Sequence, residues 1–149
     1  MSDQYALRSH SPEETRLAGG RLAAELEPGS VVSFHGDLGT GKTCMIQGVC
    51  QALHVDDYVT SPTFILINEY AGALRGAPID IYHFDLYRLF SAAELEDLGA
   101  EEYFYGQGIC LIEWPERASE LLPASCLKVA LEHAGPEERL ITVRRPPTQ

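Results

Sequence analysis

Residues 36–43, GDLGTGKT, set glycines, a lysine and a threonine at a spacing that can hold a phosphate. Gly36, Asp37, Leu38, Gly39, Thr40, Gly41, Lys42 and Thr43 satisfy G-x-x-x-x-G-K-[ST] at every fixed position, between an apolar run and a helical pattern. Glycines remove side chains where the backbone must wrap around phosphate oxygens, so that successive N–H groups can point inward. A helix beginning there directs its positive end at the same place. In such a loop Lys42 supplies a point charge for the β- and γ-phosphates, and the Thr43 hydroxyl is a ligand for Mg²⁺.

A site of this kind needs an acid at the end of a neighbouring buried strand, because Mg²⁺ keeps octahedral oxygen ligands and takes one or two from the protein. Two acids qualify. Glu113 closes the apolar run Ile109–Ile112, and Asp85 closes IYHFD one strand earlier. Either could serve the metal or orient an attacking water. The alternative is structural: Asp85 as a turn cap before Ser91, Glu113 as the partner of an arginine such as Arg117. In TSPTF, Pro62 restricts Ser61 to extended geometry and leaves hydroxyls of Ser61 and Thr63 on either side of it. That loop reads equally as a switch sensing a γ-phosphate or as a rigid strand entry. His83, in a partly apolar extended run, reads as a packed histidine.

Alternating elements must carry these residues. Ser11, Pro12 and Glu14 form a capping box with proline at the first helical position, opening a helix over Pro12–Leu26. Val31–Phe34 reads as a strand, and helical spacing resumes after Lys42. Phe64–Tyr70 and Ile79–Phe84 read as a hairpin around AGALRGA. Ser91 and Glu94 repeat the capping pattern before a short helix stopped at Gly99. Ile109–Ile112 suits a central strand buried on both faces. Leu127–Leu131 and Leu140–Val143 form a C-terminal hairpin, followed by a frayed tail from Arg144.

The 149 residues suit one domain, residues 1–149, and 45% hydrophobic with 22% charged residues is globular composition. The net charge of −11 opposes direct capture of nucleic acid. No apolar run approaches the ~20 residues that cross a bilayer, and the N-terminus lacks a signal pattern, so a cytoplasmic address is expected without membrane association. Cys44, Cys50, Cys110 and Cys126 form no C-x-x-C pair and read as reduced, structural thiols.

With GDLGTGKT, TSPTF, YHFDLYR and LIEWPER in that order, nearly the whole chain resembles the TsaE family, the small P-loop ATPases of bacterial tRNA threonylcarbamoyladenosine synthesis. The resemblance implies ATP and Mg²⁺ as cofactors and hydrolysis that is weak alone. It also implies action with the TsaB–TsaD heterodimer, with tRNA met only through that complex. Lys42 and Thr43 carry over as phosphate and Mg²⁺ residues, Glu113 as a Mg²⁺ ligand, and Asp85 as the acid of its block. Ser61 and Thr63 fall on the family's switch-like segment, and Glu14 and Thr15 near the nucleotide base. Position 40 is threonine where many relatives carry alanine, a free position of the motif. The expected fold is an α/β, three-layer P-loop NTPase domain: a central, mostly parallel sheet with an antiparallel portion and a C-terminal β-hairpin, flanked by helices. A small-molecule kinase and a non-catalytic ATP-dependent switch are the rival functions.

Overall fold

The continuous apolar runs of the chain become the middle of a sheet, and the amphipathic segments cover it. The computed structural model describes residues 4–37, 39–57, 59–60 and 67–146. Its elements are β1 (Gln4–Ser9), α1 (Pro12–Ala23), β2 (Val31–His35), α2 (Lys42–Ala52), β3 (Ile67–Leu74), β4 (Ala77–Asp85), α3 (Ala92–Asp97) and α4 (Ala100–Phe104). β5 (Ile109–Glu113), a 3₁₀ segment (Pro115–Leu121), β6 (Leu127–His133) and β7 (Arg139–Arg144) complete them. The strands form one sheet in the order β1-β7-β6-β2-β5-β4-β3. β6, β2, β5 and β4 run parallel, while β3 and the β1–β7 pair are added antiparallel at the two edges. This is the expected α/β architecture with its C-terminal hairpin.

Every residue of β5 is buried, as are Val31–Phe34 of β2, because helices cover both faces of these strands. Val32, Phe34, Ile109 and Leu111 face a core made with Leu22 of α1 and Met45, Ile46 and Val49 of α2. Val31, Cys110 and Ile112 face the opposite side, where Leu95, Phe104 and Leu89 close a second core. The alternation is the period-two pleat of the strands read out as two layers of helix.

Three features sharpen or correct the sequence expectations. The Ser11 hydroxyl does accept from Glu14 N–H at 3.1 Å, but the Glu14 carboxylate reaches back to His10 N–H at 2.7 Å rather than to Ser11. Ser91 takes the N-cap position of α3 without a side-chain cap bond, and Glu94 accepts from Phe90 N–H at 3.3 Å instead. The tail is not loose at its start: Arg144 lies in β7 and Arg145 is paired with Glu25.

Candidate functional site

The carboxyl ends of the parallel strands bring the predicted residues to one edge of the sheet. In register, Phe34 of β2 lies opposite Glu113 of β5, which lies opposite Asp85 of β4. The glycine loop begins just after β2, and its path depends on missing side chains. A Cβ on Gly36 would sit 2.5 Å from Leu131 O and 2.7 Å from the Thr40 hydroxyl. Gly41 enters α2 at φ +100°, in the left-handed region that glycine occupies without strain. Thr40 is buried and its hydroxyl donates to Asp37 O at 2.8 Å, closing the loop on itself.

A cleft of about 450 Å³ opens between this loop and the two acids, lined by Gly39, Gly41, Lys42, Thr43, Asp85 and Glu113 among others. Lys42 is buried; its ammonium donates to Gly36 O and lies 3.5 Å from the centre of the Trp114 ring. Burial lowers its pKa, opposed by the fields of Glu113, Glu116, Asp85 and Asp37. The Thr43 hydroxyl lies 3.0 Å from both carboxylate oxygens of Glu113. Oε2 of the same carboxylate also meets His83 Nε2 at 2.7 Å, and His83 is fully buried, its Nδ1 without a partner among the described residues. Asp85 accepts from Tyr87 N–H at 3.0 Å, so it does cap a turn while facing the cleft. Its pKa is raised, first by burial and further by Glu113, against the lowering effect of that N–H. A hydroxyl and two carboxylates converging on a lysine-lined cleft are an all-oxygen donor set suited to a hard divalent cation.

Residues 9–141 match the family model described as "Threonylcarbamoyl adenosine biosynthesis protein TsaE". The chain belongs to the TsaE family. It is 42% identical over 139 residues to the tRNA threonylcarbamoyladenosine biosynthesis protein TsaE of Bacillus subtilis, covering 93% of this chain and 84% of that one. The TsaE of Treponema pallidum is 40% identical over 135 residues, 91% of this chain and 96% of the relative. Among solved structures, YdiB of Bacillus subtilis superposes with a TM-score of 0.82 at 35% identity, covering 99% of this chain and 88% of that one.

The loop has a second side. There a cleft of about 300 Å³ lies between the start of α1 and the β6–β7 turn, lined by Ser11, Thr15, Thr40, Cys44, Glu137 and Arg139 among others. Thr15 is buried there, with Oγ1 2.6 Å from Ser9 Oγ. Glu14 is exposed, and its carboxylate is engaged by His10 N–H and Nδ1, which also lowers its pKa. Leu38, Ser61 and Thr63 lie outside the described residues. The thiols of Cys50 and Cys110 are buried and pushed up to about 12, as inert core groups, whereas Cys44 is only half-buried and lines both clefts.

Two residues at the site escape a reading of types and spacing, His83 and Trp114. A signal for His83 exists in the sequence: a period of two puts it on the same face of β4 as Asp85. Trp114 stands at the head of the 3₁₀ segment with φ +58°, with the Lys42 ammonium over its ring and Tyr87 tilted against it at 52°.

Proposed function

We propose that the chain is an ATP-binding and ATP-hydrolysing component of tRNA threonylcarbamoyladenosine biosynthesis, acting with a TsaB–TsaD heterodimer. The observation that carries this reading is that Lys42, Thr43, Asp85 and Glu113 line one cleft, with the Thr43 hydroxyl bonded to Glu113 and Asp85 on the adjacent parallel strand. The names of the relatives supply the pathway.

The glycine loop receives the α- and β-phosphates through its N–H groups, and Lys42 exchanges Gly36 O for an oxygen of the β- or γ-phosphate. Thr43, Glu113 and Asp85 are the residues that would hold Mg²⁺, which when bound neutralises charge on the phosphates. Glu113 is kept in place by Thr43 on one side and His83 on the other. Asp85 on the adjacent strand either shares the metal with Glu113 or, with Glu113 alone on it, orients the attacking water. The buried Lys42 stabilises the charge that develops there.

The test is phosphate release from ATP by the chain alone and with TsaB–TsaD and tRNA. Slow release alone and strong stimulation by the complex is the expected result. A phosphorylated metabolite formed from a metabolite pool would replace this reading with a kinase. A Glu113→Gln protein that keeps full partner-stimulated tRNA modification would replace it with a non-catalytic switch. For hydrolysis, that substitution is expected to lower turnover about 100-fold with ATP binding retained.

A further inference from the structure

Arg139 reaches the glycine loop from the other end of the chain. It is the first residue of β7, where its backbone pairs with Ser9 of β1 on one side and His133 of β6 on the other. From that anchored position Nε donates to Thr40 O at 3.2 Å and Nη2 to Gly39 O at 3.3 Å, while Nη1 returns to Glu138 O at 3.0 Å. We infer that Arg139 is a positioning residue that sets the direction of the phosphate-facing N–H groups of the loop. The inference rests on the nucleotide reading above.

A trans peptide unit is planar, with its C=O and N–H on opposite sides. Holding Thr40 O against the guanidinium therefore turns the Gly41 N–H away from Arg139. The preceding unit is pinned at both ends, since Thr40 N–H donates to Asp37 O at 3.2 Å and Gly39 O accepts from Arg139. These pins matter because Gly39 and Gly41 both sit at positive φ, +82° and +100°, and glycine leaves several orientations of the adjoining peptides open. A planar guanidinium fork can bridge two successive carbonyls, which a lysine ammonium on a flexible stem cannot hold in the same way. The C-terminal hairpin thus preorganises a site built between β2 and α2.

The experiment compares the unsubstituted protein, Arg139→Ala and Arg139→Lys by calorimetry with ADP and with ATP, and follows the Gly41 amide resonance at saturating ADP. Loss of two charge-assisted bonds on the loop predicts about a tenfold weaker Kd for Arg139→Ala. The loss should be equal for ADP and ATP, because the loop amides serve phosphates common to both, and Arg139→Lys should fall between. The ADP-induced shift of the Gly41 amide should shrink in both variants. Arg139→Lys and the amide shift decide the matter if Arg139→Ala does not fold. Unchanged ADP affinity overturns the inference, as does a loss confined to ATP. Weakened binding with an unaltered Gly41 shift overturns it too, since Arg139 would then touch the nucleotide directly. If the unsubstituted protein binds neither nucleotide, the nucleotide reading falls and this inference with it.

Discussion

Glu113 sits between a hydroxyl and an imidazole, and the two contacts ask different things of it. Thr43 approaches from the cleft, whereas His83 lies behind, fully buried, 2.7 Å from Oε2. With Glu113 ionised, the imidazole contact is an N–H donor that orients the carboxylate toward the cleft. His83→Leu should weaken the Mg²⁺ dependence of turnover about 10–100-fold, the usual scale for a partner behind a metal-binding group. His83→Gln, which keeps a donor at nearly the same reach, should restore most of it; a Mg²⁺ titration of phosphate release is the measurement, and equal defects in both variants would refute the role. Lys42→Ala should abolish tight ATP binding by calorimetry. In the unsubstituted protein ATP should also change the emission of Trp114, the one tryptophan of the chain, as Lys42 leaves its ring. The motif residues are legible in the sequence because phosphate chemistry dictates their types and spacing. Arg139 is not, because its role depends on the register that brings position 139 beside position 40.

Elements divide in the same way. Strands and helices with a strong apolar period are readable within a few residues, including the C-terminal hairpin and the fully buried β5. β1 carries too little signal to be read: only Tyr5, Leu7 and Ser9 turn inward, two of them half-buried, and its antiparallel pairing with β7 is supplied from the far end of the chain. α4 and the 3₁₀ segment are too short to show a period. The first helix stops at Ala23 rather than Leu26, although Leu26 remains buried beyond its end. Nor can spacing explain the glycines inside α1 and α2, which are unfavourable helix formers. They are where the two helices cross. A Cβ on Gly48 would lie 2.0 Å from Arg16 O, and one on Gly19 would lie 2.2 Å from Met45 O, both backbone atoms. Gly48→Ala should therefore destabilise the fold by about 1–3 kcal/mol or more, although alanine is the better helix former. Urea unfolding checks it; a stabilised variant would show that the two helices do not cross so closely. Since α2 starts at the glycine loop, the same substitution should also weaken ATP binding.

At the scale of the molecule, a net charge of −11 is set against a pathway whose substrate is a polyanion. Nucleic-acid affinity comes largely from neutralising phosphates with lysine and arginine, which releases counterions. Here 22 acidic residues outnumber 11 basic ones, and the cations described in the site are already occupied: Lys42 by Gly36 O and the Trp114 ring, Arg139 by three carbonyls. On the function proposed above, such a chain supplies phosphate-bond energy beside a component that holds the tRNA. The expectation is that the protein alone does not retard tRNA in a mobility shift at about 0.15 M salt, where surface charges are screened beyond ~8 Å. Retardation should appear with TsaB–TsaD, and adding this chain with ATP should leave the salt dependence of that binding unchanged, because it contributes no new phosphate contacts. Retention of tRNA by the chain alone, or a steeper salt dependence on its addition, would mean that it grips the nucleic acid itself.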